Sequence, residues 1–419
     1  MRGSGGGGMK KDRFIVLRQD GGRPGEVRTE ADSALPSRLD AGPEASATPV
    51  MTLEVQTLDH RELPDLLQDR TVRAAAPSIP MRLIRPVSRS EADASATGPT
   101  WGVQAVRADT SPQNGKGVTV AVLDTGIDPE HPAFEGVTLV RRDFTLADGD
   151  ADGGVDAQGH GTHCAGTVFG REVAGQRIGV APGVERALIG RVLGADGSGS
   201  SEGIARALAW AVQQGAHVVS MSLGMDFPGL VAELIRRGLP AELATSQALL
   251  DYRANLNLFG ALAAYARSYG GDATPTLLVA AAGNESRRQQ NPDWEVGVAP
   301  PAASDGFISV AAVGLGAQKT PDQGLTVAPF SNTGATLSGP GVDVTSARMG
   351  GGLVAYSGTS MATPHVAGVA ALWFQALIDS GDLTRNTVET ALKGSATRTP
   401  LIGGVDRLDV GLGLVQAPQ

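Results

Sequence analysis

From Trp101 onward, short apolar segments of strand length alternate with segments whose apolar residues recur at helical spacing. Residues 118–123 form a continuous apolar run that ends in the turn-forming Asp124-Thr125-Gly126. Residues 202–214 carry apolar side chains three and four positions apart, which is typical of a helix with one buried face. Further strands are predicted at 186–192, 217–220 and 277–281, and further helices at 359–377 and 386–392. This alternation predicts an α/β fold, a mostly parallel sheet with helices on both faces.

The N-terminal part of the chain has a different pattern. Residues 1–8 (MRGSGGGG) are typical of an added tag and are excluded from fold reasoning. Residues 9–87 predict a small α+β domain, with strands at 14–18, 51–58 and 81–86, a helix at 62–69 and a Gly- and Pro-rich loop at 20–49. Residues 88–99 are small and polar, which indicates a linker. The main domain is therefore expected at 100–419, and it contains a helical insertion at 226–275.

Composition and charge exclude several classes of protein. The chain has 419 residues, 41% of them hydrophobic, and a net charge of -9, which argues against a nucleic-acid partner because phosphate binding needs a basic face. Cys164 is the single cysteine, so an internal disulfide is excluded. No apolar run reaches the 18 or more residues of a membrane span, and no secretory apolar segment is present. The chain as given is expected in the cytoplasm, or outside the cell if a signal has been removed.

Three short segments carry residues that suit nucleophilic catalysis. They are AVLDTGID around Asp124, GHGTHCAGT around His160 and SGTSMATPHVAG around Ser360. A serine hydroxyl needs a base within hydrogen-bond reach, histidine can accept and return the proton, and a buried carboxylate can orient the imidazole. Taken alone, Asp124 could cap a turn and Ser360 could cap a helix. Their joint occurrence with His160 favours a catalytic triad.

These segments resemble the signature sequences of the subtilisin-like serine peptidases, the subtilase family, in that family's order along the chain. The cysteine in HGTHC is similar to the proteinase K branch. A fourth segment, AAAGNES, resembles the family's oxyanion segment and implies that Asn284 stabilises the tetrahedral intermediate. The resemblance covers the chain from about Trp101 onward. It implies a serine endopeptidase that acts on peptide or protein substrates and needs no redox or organic cofactor.

The same resemblance assigns substrate-binding segments. It implies that extended substrate adds as a strand and that two stretches line the first specificity pocket. Those stretches are Ser222, Leu223 and Gly224, and Ala281, Ala282 and Gly283. Glu285 is expected near the mouth of the pocket. The resemblance implies a glycine-walled slot that accepts large apolar side chains and a glutamate that tolerates a basic one, so broad specificity is expected.

Residues 9–87 resemble the family's inhibitory propeptide in pattern and position. The resemblance implies a zymogen in which the chain's own propeptide is an intramolecular inhibitor. We expect the chain to cut itself in the 88–99 linker, near Ser95-Ala96. We expect the protein to be a monomer.

The metal chemistry of the family is altered here. Residues 169–178 have the length of the family's tight calcium loop, but Arg171, Val173 and Arg177 stand where oxygen ligands are expected, and Ala133-Phe134 stand where a ligand aspartate usually lies. A different calcium candidate is the acidic loop with Asp148, Asp150 and Asp152, although Gly159 stands where the loop needs a glutamate. The alternative for this loop is a solvated acidic turn. Calcium is therefore not required by the sequence, and a structural calcium ion is left open.

The insertion at 226–275 leaves function partly open. Because it connects two pocket-lining segments, it could form a cap that narrows substrate choice, or it could only add packing. A dedicated peptidase that matures one precursor is therefore an alternative to a general peptidase. An inactive binding module of the same fold is a third hypothesis, and the complete set of Asp124, His160, Ser360 and Asn284 argues against it.

Overall fold

The computed structural model describes residues 11–20, 50–93, 95–146, 153–269, 271, 274–318 and 320–419. These residues form two compact units. The first contains the described residues up to Ile79 together with Phe227–Ala261, and the second contains Pro80–Asp226 and Leu262–Gln419.

Helices and strands alternate through most of the chain. The helices are α1 (Leu63–Gln68), α2 (Trp101–Ala105), α3 (His160–Phe169), α4 (Ser201–Gln213), α5 (Phe227–Arg236), α6 (Ala241–Ser268), α7 (Thr359–Ser380), α8 (Arg385–Gly394) and α9 (Arg407–Val410). The strands are β1 (Asp12–Asp20), β2 (Val50–Leu58), β3 (Val72–Pro77), β4 (Pro80–Leu83), β5 (Ser88–Glu91), β6 (Gly98–Pro99), β7 (Thr119–Asp124), β8 (Thr138–Asp143), β9 (Gln176–Arg177), β10 (Arg186–Arg191), β11 (Ser198–Ser200), β12 (Val218–Met221), β13 (Leu223–Met225), β14 (Leu277–Ala281), β15 (Phe307–Gly314), β16 (Thr326–Val327), β17 (Leu337–Pro340), β18 (Val344–Ala347) and β19 (Leu353–Ser357).

The first unit contains an antiparallel sheet in the order β2-β1-β3. On one face of β1, Phe14 and Val16 pack with Ala75 and with Leu63 and Leu66 of α1. Alternate residues of a strand point to opposite faces, and the intervening side chains of β1 are also buried, so this small sheet is covered on both sides. The region predicted as a loop at 20–49 lies, from residue 21, outside the described residues.

The helical insertion groups with this N-terminal sheet. The predicted helical segment at 226–275 forms α5 and α6, and both helices, up to Ala261, belong to the first unit. The buried Asn255 side chain of α6 donates a hydrogen bond of 3.0 Å to the carbonyl of Pro77, at the end of β3. Phe227 of α5 packs edge-on against Tyr252 of α6. The sequence pattern predicts the helices but not their association with residues 11–79.

In the second unit, a sheet runs in the order β16-β15-β14-β12-β7-β10-β8, and β17 also pairs with β15. The pairings are parallel except that of β15 with β16. Val120 and Val122 of β7 pack in one apolar core with side chains of α3 and α7. Toward α4, Gly190 of β10 lies against Leu123 and against Ala207, which is a residue of α4. The prediction of a mostly parallel sheet with helices on both faces is confirmed.

The helix α7 is long and apolar because it is the central helix of this unit. Among the described residues, it is the one helix with the length and composition of a membrane span, but 72% of that window is buried inside the protein. It carries Ser360 near its first turn. A buried core helix accounts for this apolar character.

Residues 80–99 are more ordered than the predicted linker. The strand β4 lies between β11 and β13, β5 pairs with β19, and β6 pairs with β9, all within the second unit. The predicted domain boundary after residue 87 thus falls later than the boundary after Ile79 in the structure. Within the predicted linker at 88–99, main-chain hydrogen bonds hold two parts against other strands. We call residues 80–87 the tail segment.

Candidate functional site

Asp124 and His160 meet at the carboxyl end of the sheet. Asp124 is the last residue of β7, and His160 is the first residue of α3. The His160 Nδ1 lies 2.8 Å from the Asp124 Oδ1, and both side chains are buried. The preceding Gly159 has a φ of 100°, a left-handed conformation that glycine adopts without strain and that starts the helix at this point.

The electrostatics of this pair favour the charged imidazole. Burial disfavours a protonated ring, but the adjacent Asp124 carboxylate outweighs burial and holds the pKa of His160 well above its usual value near 6.5. Asp124 also accepts a hydrogen bond of 2.7 Å from the Thr125 main chain, which fixes the carboxylate. This arrangement can orient an imidazole and stabilise it after it has gained a proton.

Ser360 faces the main chain of the tail segment. It is the second residue of α7 and is buried. Its hydroxyl donates a hydrogen bond of 2.7 Å to the carbonyl oxygen of Ile84. The His160 Nε2 is buried and has no hydrogen-bond partner among the described residues. The serine proton is thus directed to the tail and not to the imidazole.

Asn284 contacts the next carbonyl of the tail. Its Nδ2 donates a hydrogen bond of 2.9 Å to the carbonyl oxygen of Arg85. Its Oδ1 accepts hydrogen bonds from the main chain (2.8 Å) and the hydroxyl (2.9 Å) of Thr359, the neighbour of Ser360. These bonds orient the amide so that its donor side points into the cleft. Such a donor is suited to an oxygen that gains negative charge.

The tail lies in the cleft as an added strand. Leu223 pairs with Leu83, Gly224 with Arg82 and Met225 with Met81 in an antiparallel register. The Ile84 main chain donates to the carbonyl of Ser222 at 3.4 Å. Ser222, Leu223 and Gly224 therefore bind main chain in the way expected for extended substrate.

The Ile84 side chain occupies a narrow slot and is 5% exposed. Gly224 forms part of the wall, because a Cβ there would lie 3.4 Å from Ile84 Cγ1 and 3.8 Å from the Cβ of Ala299. Ala299 is a neighbour of the slot that the sequence analysis did not identify. Its main chain donates to the carbonyl of Ala282, which links this wall to the strand that precedes Asn284.

The residues around Asn284 are held by Asn332. The Asn332 side chain is buried, donates to the Glu285 carboxylate (2.7 Å) and to the Ala282 carbonyl (3.1 Å), and accepts from the Glu285 main chain (3.0 Å). Gly283 has a φ of 116°, and a Cβ there would lie 2.2 Å from Asn332. Ala281 pairs with Val310 inside the sheet, and Ala282 packs in a separate apolar cluster. Glu285 is thus hydrogen-bonded to Asn332 through both its main chain and its carboxylate. No motif in the sequence marks Asn332 as a site residue.

A second buried carboxylate, Asp156, organises the start of α3. It accepts hydrogen bonds from the Thr125 hydroxyl (2.8 Å), the Gly159 main chain (2.8 Å) and the Thr162 main chain (2.9 Å) and hydroxyl (2.6 Å). Burial raises the pKa of this carboxyl, but the hydrogen bonds outweigh burial and leave the pKa below its usual value. Asp156 thus braces both Thr125, which follows Asp124, and the turn that carries His160. Asp156 was not predicted as a site residue, although an acidic residue four positions before His160 is visible in the sequence.

Cys164 lies beneath the site. Its Sγ is 3.7 Å from His160 Nδ1 and 3.4 Å from the carbonyl of Ser360. The potential metal-ligand atoms of Asp124, His160 and Cys164 lie within 4.8 Å of one another, which is close enough to bind one ion. However, burial raises the pKa of the Cys164 thiol, and the His160 Nδ1 is already bonded to Asp124. This set therefore fits a hydrogen-bonded pair with a packed thiol rather than a metal site.

The structure describes one of the two loops considered for calcium, the one at residues 169–178. Asp148, Asp150 and Asp152 lie outside the described residues. In the loop where the sequence lacks calcium ligands, the Arg171 guanidinium donates to the carbonyls of Phe169, Pro182 and Val184, and the Arg177 guanidinium donates to those of Ala108, Gly179 and Val180. Two guanidinium groups therefore bind main-chain oxygens in this region, and the chemistry of the donor set does not fit a metal ion there.

Comparison with known proteins identifies the family that this chain matches. A family model described as the subtilase family matches residues 115–413. The chain is 33% identical over 276 residues to an intracellular serine protease of Paenibacillus polymyxa, an alignment that covers 65% of this chain and 71% of that protein. It is 36% identical over 281 residues to alkaline elastase YaB of a Bacillus species, covering 65% of this chain and 59% of the elastase. It is 31% identical over 372 residues to a thermostable alkaline protease of Halalkalibacterium halodurans, covering 87% of this chain and 81% of that protease.

Proposed function

Because this chain belongs to the subtilase family of serine endopeptidases, we propose that it hydrolyses internal peptide bonds through an acyl-enzyme on Ser360. One observation carries the proposal. The Ser360 hydroxyl and the Asn284 amide contact the carbonyls of two successive residues, Ile84 and Arg85, in a strand that occupies the cleft. A nucleophile and an oxyanion donor that contact neighbouring carbonyls of one extended strand bring the groups needed for acyl transfer to the same stretch of main chain.

The residues then have the following roles. His160 takes the proton of Ser360 through Nε2 as the hydroxyl attacks the carbonyl carbon, and later gives that proton to the leaving amine. Asp124 keeps the other nitrogen, Nδ1, protonated and stabilises the imidazolium. Asn284, together with the main-chain N–H of Ser360, donates to the oxyanion. Water then enters, His160 removes its proton, and the acyl-enzyme is hydrolysed without any cofactor.

We further propose that substrate binds where the tail segment lies. The support is the strand register of β4 on β13 and the burial of Ile84 against Gly224. An apolar side chain before the scissile bond would fill this slot and bury its surface, which favours binding. Ala281, Ala282, Gly283 and Glu285 remain predicted members of the pocket wall.

The tail segment is proposed to inhibit the enzyme within the same chain. In a bond about to be cut, the Asn284 amide holds the same carbonyl that the serine attacks. Here the amide holds the Arg85 carbonyl, and the serine proton is directed to the Ile84 carbonyl. The Ile84–Arg85 peptide must therefore rotate before attack, so the tail behaves as a slow substrate. Residues 9–87 would then form the inhibitory part of a zymogen.

This geometry moves the proposed self-processing site. Ser95-Ala96 was predicted on the basis of a free linker, but the Gln176 side chain donates to the carbonyls of Asp93 (3.0 Å) and Ala96 (2.9 Å) and ties down the main chain on both sides. The bond beside the nucleophile is Ile84–Arg85. We propose this bond as the first cut, so the processed chain would begin at Arg85.

The insertion is proposed to support the N-terminal sheet rather than to select substrate. The support is the grouping of α5 and α6 with that sheet and the Asn255–Pro77 hydrogen bond. The alternative, a dedicated maturation peptidase, requires the insertion to contact substrate. Deletion of residues 229–253 distinguishes the supporting role from the selective role. An unchanged profile of peptide cleavage after the deletion excludes a selective cap.

The proposed function is tested by labelling the full chain with a serine-directed fluorophosphonate and by N-terminal sequencing. We expect the label on Ser360, no label in a Ser360→Ala chain, and a new N-terminus at Arg85 only when Ser360 is present. A chain that never reacts at Ser360 would support the inactive binding module. A chain that reacts but keeps its full length would remove self-processing and leave the peptidase intact.

A further inference from the structure

The strand in the cleft alternates between apolar and basic side chains. Met81 and Leu83 of β4 are buried, whereas Arg82 between them points to the other face and is 66% exposed. Gly197 lies against Leu83, since a Cβ on Gly197 would come within 3.0 Å of the Leu83 Cβ. The cleft thus encloses the first, second and fourth residues before the Ile84–Arg85 bond and leaves the third accessible on its rim.

An acidic side chain faces this third residue. The Arg82 Nε lies 2.9 Å from the Asp226 Oδ2 and forms an ion pair with it. Asp226 follows β13, the strand that binds the main chain of the tail, and its side chain is only 20% exposed. The carboxylate therefore belongs to the rim of the cleft, while the arginine belongs to the occupant. A partly buried carboxylate of fixed position attracts a cation more strongly than a fully solvated one does.

We propose that Asp226 selects substrates that carry arginine or lysine at the third residue before the scissile bond. This inference rests on the proposed function, because it takes the tail as a guide to how substrate lies. The substrate class is a basic, amphipathic segment with apolar side chains at the first, second and fourth positions. A neutral residue at the third position loses the ion pair, and an acidic residue is repelled.

A basic residue just after the bond fits the same class. The Arg85 guanidinium donates to the main-chain carbonyl of Asp196 at 2.7 Å. Because the acceptor is a main-chain carbonyl, substitution of the Asp196 side chain would not remove this contact. Asp226 is the member of the rim that can be tested by substitution.

The first experiment measures how much the Arg82–Asp226 ion pair contributes to binding of the tail segment in the full chain. The tail must leave the cleft before a fluorophosphonate reaches Ser360, so the labelling rate reports how firmly the tail is held. Exposed ion pairs correspond to factors of up to about fivefold. We expect Arg82→Gln and Asp226→Asn each to raise the rate about threefold, and the double variant to raise it no further. Asp382→Asn, which loses an exposed charge at the end of α7, should leave the rate unchanged.

The second experiment measures selectivity with added peptides. Peptides of the form Met-X-Leu-Ile-Arg, with X as Arg, Gln or Glu, are compared by kcat/KM with the full chain. The ratio between two peptides is independent of competition by the tail, because the same fraction of open enzyme meets both. We expect arginine to be preferred over glutamine about threefold. Asp226→Asn should reduce this ratio to about one, and Asp226→Lys should make glutamate the preferred residue.

The outcomes separate this inference from the proposed function. If the glutamine peptide is cut and the ratio is already one in the parent chain, Asp226 selects nothing and the peptidase stands. If no peptide is cut, the proposed function fails, and the labelling rates alone decide whether Asp226 holds Arg82. Additive effects of the two substitutions on the labelling rate would overturn the inference in either case.

Discussion

The hydroxyl of Ser360 donates its hydrogen bond to the carbonyl of Ile84, 276 residues earlier in the chain, at 2.7 Å. In an active serine peptidase this proton is directed to the histidine. We therefore propose that the tail segment keeps Ser360, His160 and Asn284 from acting together as nucleophile, base and oxyanion donor.

The pH dependence should reflect the raised pKa of His160. The base must be neutral to accept the proton of Ser360, so activity appears as pH rises through that pKa, which lies well above 6.5. We expect the acid limb of kcat/KM above pH 6.5. Asp124→Asn removes the carboxylate that raises the pKa, so the limb should move to lower pH while kcat falls by about 10⁴. An acid limb that is unchanged by Asp124→Asn would contradict the assigned cause.

Asp156 should act on kcat through the position of His160. Asp156→Asn places an amide among main-chain donors, and a displacement of about 1 Å at the base can cost about 10²-fold in rate. We expect kcat to fall by about 10- to 100-fold with little change in KM. Thr125→Val should have a similar effect because it removes the Thr125–Asp156 hydrogen bond, and Thr125→Ser should retain activity. Equal kcat values for the Val and Ser variants would exclude this positioning role.

Asn284 should contribute to kcat as an oxyanion donor. Loss of one oxyanion donor lowers kcat by about 10²–10³, a range known from subtilisin itself. We expect Asn284→Ala to show this loss toward added peptide, with KM nearly unchanged. The exposed Asn386→Ala on α8 is the control and should retain full activity. Wild-type kcat in Asn284→Ala would remove this residue from the site.

The half-buried arginines of the 169–178 loop should stabilise the fold. Arg171 and Arg177 each donate to several main-chain carbonyls, and burial lowers the pKa of both groups, which indicates that these cations are partly removed from water. An unpaired buried polar group costs about 1–3 kcal/mol, so Arg171→Leu and Arg177→Leu should each lower the free energy of unfolding by about that amount. Arg407→Gln, at an exposed position, serves as the control. Thermal or denaturant unfolding that shows no difference from this control would contradict the assigned role.

Local patterns predicted the mostly parallel sheet and marked the segments that carry the candidate site. The apolar run before Asp124 and the glycine-flanked His160 place these residues where strands end and helices begin, because such signals act over a few neighbouring residues. Ser360 was added because a serine nucleophile needs the base and the carboxylate, and the family resemblance added Asn284. The finer assignments of pocket and processing site remain predictions.

Contacts between distant polar residues escaped the sequence analysis. Nothing local marks Asn332 as the partner of Glu285, or Arg82 as the partner of Asp226, since each pair forms only after distant segments of the chain come together in the fold. The small, polar 88–99 segment was interpreted as a linker because composition does not report pairing with β19 and β9. The association of Asn255 with Pro77 depends on tertiary packing in the same way.

The rate at which a fluorophosphonate labels Ser360 tests the central claim most directly, when the unaltered full chain is compared with an Ile84→Glu chain. A glutamate at this buried position would place a charge in an apolar slot, so the tail should leave the cleft. Val87→Glu, at a side chain that is 51% exposed, is the matched control. The account predicts labelling at Ser360 in all three chains, at least about tenfold faster in Ile84→Glu than in the other two. Equal rates in all three, or no reaction at Ser360 in any, would contradict it.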